Sequence, residues 1–174
     1  SLAEASARTT GHLIVARAEQ FDTEEDTPLQ HGLEHLDQVR AQLLADPSVR
    51  QVLPRVEFSG LISNGDKSTV MMATGIDPDA EFAIKGPFLT MTAGKVMTQQ
   101  ARQSVMLGEG LARSLKASPG SNLTLLASTT EGVLNALDVT VTGVFSTGIP
   151  DVDKRLVYTD VETAQKLLAT TRVS

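Results

Sequence analysis

The stretch from Val52 to Ile76 constrains the fold more than any other part of the chain. Val52, Val56, Phe58 and Ile62 share one parity, while Arg55, Glu57 and Ser59 occupy the other. That alternation belongs to a strand with one buried face. Ser63-Asn64-Gly65-Asp66 follows at once. Asn-Gly tolerates the positive φ angles of a type I′ turn, so a hairpin is predicted, with Val70 to Ile76 as the antiparallel partner.

Around this hairpin the other elements fall into a β-α-β-β start, a strand-rich middle and a closing β-α. Leu13 to Ala16 form a short apolar group and are read as the first strand, and the acidic, polar run from Glu19 to Gly32 as a loop. Leu33, Leu36, Val39 and Leu43 recur at helical spacing until Asp46-Pro47 ends the helix. Asp77-Pro78-Asp79 opens a helical turn, and the rest of the segment to Gln103 is irregular, punctuated by Gly86-Pro87 and Gly94. Beyond it, 104–107 reads as a strand and Leu111 with Leu115 as one face of a helix. Leu123 to Ala127 and Val133 to Phe145 read as strands, with Leu137, Val139 and Val141 facing inward. Leu156 to Tyr158 form a last strand. Thr159 and Glu162 then supply a capping box for a helix bearing Val161, Ala164, Leu167 and Leu168.

At 174 residues the chain is long enough for one ordinary core or two small ones. A net charge of −6, without a basic run, speaks against nucleic acid and against anionic lipid as partners. Cysteine is absent, which excludes disulfides, thiolate catalysis and Cys-ligated zinc. No stretch reaches the roughly 18 apolar residues of a spanning helix. The chain starts without Met in a Ser/Ala-rich segment, 1–10, expected to be a juxtamembrane or linker segment in an excised piece of a longer protein, the alternative being the start of a processed mature protein.

The sharpest chemical string is His31-Gly32-Leu33-Glu34-His35, which matches the H-x-x-E-H pattern of one class of zinc peptidase. Such a site needs both imidazoles on one helix face, and Gly32 weakens a helix there. The alternative is a pair of solvated histidines at the start of a helix; His12 is a candidate third ligand but sits in a strand, where a lone histidine is usually structural. Gly108-Glu109-Gly110 lacks the third glycine of a dinucleotide loop, because Arg113 stands in its place. No P-loop and no G-x-S-x-G elbow is present. Asp151 and Asp153 provide too few oxygens for calcium and read as a solvated turn. Asn122-Leu123-Thr124 is a formal glycosylation sequon inside a strand.

Several strings taken together resemble permeases of the MacB, FtsX and lipoprotein-release kind. They are Gly11-His12-Leu13-Ile14-Val15, Val52-Leu53-Pro54-Arg55-Val56, Gly75-Ile76-Asp77-Pro78, Val105 to Ala112, Val141 to Gly148 with Asp153, and Ala164-Gln165-Lys166-Leu167-Leu168. The resemblance covers nearly the whole chain. It implies an α+β extracytoplasmic domain, held between the first two membrane helices of a permease on the periplasmic face of a bacterial inner membrane.

The implied architecture is discontinuous, with a porter-like α/β subdomain from 11–80 and 151–174 and a smaller β-rich subdomain inserted at 81–150. The implied function is transmission of ATPase-driven motion to an envelope substrate or partner protein, with no catalysis and no cofactor in the domain itself. ATP would bind a separate ATPase subunit or domain. Further implied partners are a second permease copy or paralogue and a periplasmic carrier, adaptor or hydrolase. The lipoprotein-release branch is favoured by the Gly11-His12-Leu13 start and the Gly75-Ile76-Asp77-Pro78 turn. Asn64 and Gly65 at the hairpin tip are the candidate contacts. The rival readings are a zinc-dependent hydrolase using His31, Glu34 and His35, and a free-standing solute-binding domain.

Overall fold

A computed structural model describes residues 10–17, 24–28, 41, 42, 45, 49–85, 89–100, 102–129 and 131–169. The strands are β1 (Thr10–Arg17), β2 (Glu24–Pro28), β3 (Val49–Ser63), β4 (Ser68–Ile76), β5 (Thr90–Gly94), β6 (Ser104–Gly108), β7 (Asn122–Ser128), β8 (Leu134–Ser146) and β9 (Leu156–Asp160). The helices are α1 (Pro78–Lys85), α2 (Glu109–Leu115), α3 (Pro150–Asp153) and α4 (Val161–Leu168).

The predicted hairpin is there, β3 against β4 in an unbroken antiparallel register from Arg55↔Ile76 to Ser63↔Ser68. Its connection is a four-residue loop, Asn64 to Lys67, and not a type I′ turn. Gly65 takes a positive φ of 97° and Asn64 does not. The Asn64 side chain replaces the missing turn geometry: its Oδ1 accepts from the N–H groups of Asp66 at 2.8 Å and Lys67 at 2.7 Å.

Strand pairing closes a ring. β3 pairs β4, β4 pairs β9 in parallel, β9 pairs β6, β6 pairs β8 in parallel, and β7 bridges β8 back to β3. A closed sheet points alternate residues of each strand inward. Accordingly Met71 and Ala73 of β4, Leu123, Leu125 and Ala127 of β7, and Val139 and Val141 of β8 are buried together with Val56, Phe58 and Ile62 of β3. Closure depends on Gly60, where an added Cβ would come within 2.2 Å of the Leu126 carbonyl oxygen on β7. Only the backbone of glycine lets the two strands approach so closely.

The ring is covered at both ends and extended at both edges. α2 caps one end with Leu111, Ala112 and Leu115, and α4 packs Ala164, Leu167 and Leu168 near the other. α4 lies directly over Gly75 of β4, where a Cβ would meet that of Ala164 at 2.7 Å. Outside the wall a second cluster joins Ile76, Leu89, Met97, Met106 and Phe145, with Phe82 of α1 and Tyr158 of β9 packed on it. β1 and β2 continue the sheet beyond β3, and β5 pairs the last part of β8.

Several expectations need correction. The acidic run read as a loop contains β2, whose residues Glu24 to Thr27 pair with β1. An edge strand can carry charge because one of its sides faces water, so polarity alone does not exclude it. The irregular segment contains β5, too short and too exposed to show a period. The closing helix is capped by Asp160 and not by Thr159. Asp160 accepts from the Thr163 N–H at 2.9 Å and from its hydroxyl at 2.6 Å, while Thr159 is turned inward to donate to the Ser104 carbonyl at 2.9 Å. The predicted helix from Leu33 lies almost wholly outside the described residues, of which 41 and 42 are helical.

Candidate functional site

His31, Glu34 and His35 lie outside the described residues. His12 stands in β1 opposite Arg55 of β3. Among the described residues no group of three or more His, Cys, Asp or Glu side chains is placed to hold a metal ion.

Asn64 and Gly65 sit at the capped end of the ring, and Asn64 ties that end together. Besides its two turn bonds, its Nδ2 donates to the Leu115 carbonyl at 2.8 Å. The C-terminus of α2 is thereby fastened to the β3–β4 hairpin, and one of the helix's otherwise unpaired carbonyls is satisfied. Gly65 and Asp66 remain exposed beyond it.

Asp151 and Asp153, expected in a solvated turn, differ sharply. Both lie in α3, where Asp151 is exposed and Asp153 is buried. The Asp153 carboxylate accepts from the Thr147 hydroxyl at 2.7 Å, the Thr147 N–H at 2.9 Å and the Ser146 hydroxyl at 3.1 Å. Burial alone would raise its pKa. The bonds from Thr147 and Ser146, with the charge of Arg113, outweigh burial and hold the carboxyl below its ordinary value. Asp153 is thus an ionised clamp on the loop after β8.

The same clamp explains Gly108-Glu109-Gly110. A Cβ at Gly108 would lie 2.3 Å from the Asp153 carbonyl oxygen, and one at Gly110 would press on Lys154. The glycines let the start of α2 sit against α3, which is a packing role. Asp153 was the residue sequence reasoning undervalued. The signal available was the Ser146-Thr147 pair of hydroxyls just upstream.

A second polar cluster lies on the outer wall. Arg55 of β3 donates from Nε and Nη2 to the two carboxylate oxygens of the fully buried Glu81 on α1, at 2.8 and 3.0 Å. Tyr158 stands close by. Burial chiefly, with Glu81 and Glu57 acting against Arg55, raises its phenol pKa above the usual value, so it stays protonated at neutral pH. A neutral phenol beside a paired carboxylate holds structure together and offers no base.

Two open grooves flank α2. One, of about 490 Å³, runs between α2 and Thr92-Ala93 of β5. The other, of about 690 Å³, runs between α2, the start of β4 and the α3–β9 junction, and is lined by Arg113, Lys154 and Arg155. Both suit contact with another molecule better than enclosure of a solute.

The profile of MacB-like periplasmic core domains matches residues 2–174. The chain belongs to that family. MacB-like periplasmic core domains are non-catalytic extracytoplasmic parts of ABC transporter permeases, and the clamps described above are structural devices consistent with that. The chain is 27% identical over 128 residues to the lipoprotein-releasing system transmembrane protein LolE of Haemophilus influenzae, a match taking in 72% of this chain and 30% of that protein. The chain therefore spans less than a third of that relative's length. In fold it is similar to the extracellular domain of the ABC-type transporter YknZ from Gram-positive bacteria, with a TM-score of 0.57 over 94% of this chain and 78% of that one, at 17% identity. No helix among the described residues is long and apolar enough to cross a membrane.

Proposed function

We propose that this domain serves a permease of the lipoprotein-release type and passes ATPase-driven motion to an envelope partner. The observation that carries the reading is the 27% identity to LolE over most of the chain. A closed ring suits the task. Every strand of the wall is hydrogen-bonded on both sides along part of its length, so a push at one strand is carried around the barrel and not absorbed by one loose edge.

In this reading a cytoplasmic ATPase supplies the energy through membrane helices, and a second permease copy or a paralogue faces the domain. A periplasmic carrier takes the cargo, and the Asn64-Gly65 tip is a contact for one of these partners. The division into a porter-like unit (11–80 with 151–174) and an inserted unit (81–150) belongs to the same proposal. Because β9 is bonded to both β4 and β6, movement between the units would be transmitted through β9.

Depletion of the full-length permease in its native host tests the cargo. Lipoproteins destined for the outer membrane should accumulate in the inner membrane fraction. Normal lipoprotein sorting, with loss of efflux of small toxic compounds instead, would favour a MacB-like pump.

A further inference from the structure

β4 pairs with β3 along its whole length, from Ser68 to Ile76, but on its other side β9 begins only opposite Met72. Among the described residues, Ser68 to Met71 therefore have no strand neighbour on that side. The Met72 N–H points toward β9, where it donates to the Arg155 carbonyl at 2.8 Å. Backbone groups alternate sides along a strand, and the β3–β4 register contains no bulge. Val70 therefore aims its N–H and C=O the same way as Met72, into the groove of about 690 Å³ whose opposite wall carries Arg113, Lys154 and Arg155.

We propose that this open half of β4 accepts an extended acidic segment of a partner protein as an added strand. Main-chain bonds to Val70 would hold the segment, and its carboxylates would face the cations across the groove. Those cations are available. Lys154 forms only an exposed pair, with Asp151 at 3.9 Å, and Arg155 makes no ion pair with a described residue, while Arg113 pairs with the half-buried Glu109 at 3.0 Å and lends part of its charge to Asp153. Exposed pairs of this kind contribute little and exchange readily.

Val70 and Met72, 50% and 49% exposed, offer the segment's apolar side chains a contact on the outer face. The charge selects the occupant. In a chain of net charge −6, three cations around one open strand edge repel a basic strand and attract an acidic one. An anionic bilayer fits less well, because the groove is concave and the chain as a whole is repelled by such a surface.

Fluorescence anisotropy of the 174-residue chain tests this with two labelled probes: a short peptide alternating Glu and Val, and its counterpart alternating Lys and Val. The Glu peptide should bind, more weakly as salt rises, and the Lys peptide should not. Arg155→Glu combined with Lys154→Glu should weaken binding about tenfold or more, and Arg155→Lys should largely retain it. Val70→Pro, which removes a donor on the groove side and none on the β3 side, should also lose binding while the circular dichroism spectrum is kept.

Equal binding of both peptides, or an undiminished signal in the charge-reversed variant, would overturn the proposal. So would binding of phosphatidylglycerol vesicles without binding of the Glu peptide. None of these outcomes bears on the permease assignment, which rests on the family match.

Discussion

Arg55 holds Glu81 through both carboxylate oxygens, and this fork joins β3 of the ring to α1 outside it. Glu81 is wholly buried and Arg55 is only 20% exposed. Removing one partner of such a pair takes a bidentate ion pair from a poorly solvating site, at a cost of about 3 to 5 kcal/mol. Against a typical total of about 5 to 15 kcal/mol, that is a large share. Urea unfolding of Arg55→Ala should show a loss of this size. Glu81→Leu, which removes the charge needing a partner, should lose less. Equal, small losses in both would mean that the fork contributes nothing.

Asp153 should make stability depend on pH. Its folded pKa lies below the ordinary carboxylate value, so its contribution is complete above the unfolded pKa of about 4 and is lost as pH falls through the folded value. Asp153→Ala should therefore be less stable than the parent by about 2 kcal/mol at pH 7, since it deletes the acceptor of charge-assisted hydrogen bonds. The gap between the two urea midpoints should narrow as pH drops from 5 toward 2 (conditions set around that unfolded value). A gap that stays constant across the range would show that ionisation of Asp153 plays no part.

Asn64 is a turn residue and a helix fastener at once. Asn64→Ala forfeits two turn bonds and the bond to Leu115, and the expected loss is about 1 to 3 kcal/mol. Asn64→Asp keeps the turn acceptor but cannot donate to the Leu115 carbonyl. Hydrogen exchange should then quicken in α2 more than in β3. Uniform protection in the two elements would argue against a specific tie.

Gly60 decides whether the ring closes. Gly60→Ala puts a Cβ against the Leu126 carbonyl and should cost about 2 kcal/mol or more. Amide exchange at Leu125 and Leu126 should rise first, because β7 is the strand that must move. Unchanged exchange there would mean that β3 and β7 tolerate separation.

Much of the ring could be read from residues alone. The β3–β4 hairpin, the strand β7, the inward face of β8 and the closing α4 all follow from periods of two or of three and four. What could not be read was pairing between distant strands: nothing in Leu156 to Asp160 tells that β9 runs parallel to β4 and antiparallel to β6. β2 and β5 were missed because edge strands keep one side in water and need no apolar pattern. The proposed contact surface was least legible. Asn64 and Gly65 stood out by residue type, whereas the open edge at Val70 exists only because β9 starts opposite Met72. Asp153 read as part of a solvated turn until the fold supplied its donors, and nothing in the sequence singled out the buried Glu81.

Motion driven by nucleotide is the central claim, and the absence of cysteine from this domain permits a direct measurement. A nitroxide can be attached at Asp66→Cys in the full-length permease assembled with its ATPase, in a background otherwise free of cysteine. If the permease pairs with a second copy of itself, as proposed, pulsed electron resonance then reads the distance between the labels of the two copies. We expect the distance distribution to shift between the nucleotide-free and the ATP-trapped states. Superimposable distributions in the two states, from an assembly that still hydrolyses ATP, would contradict the account.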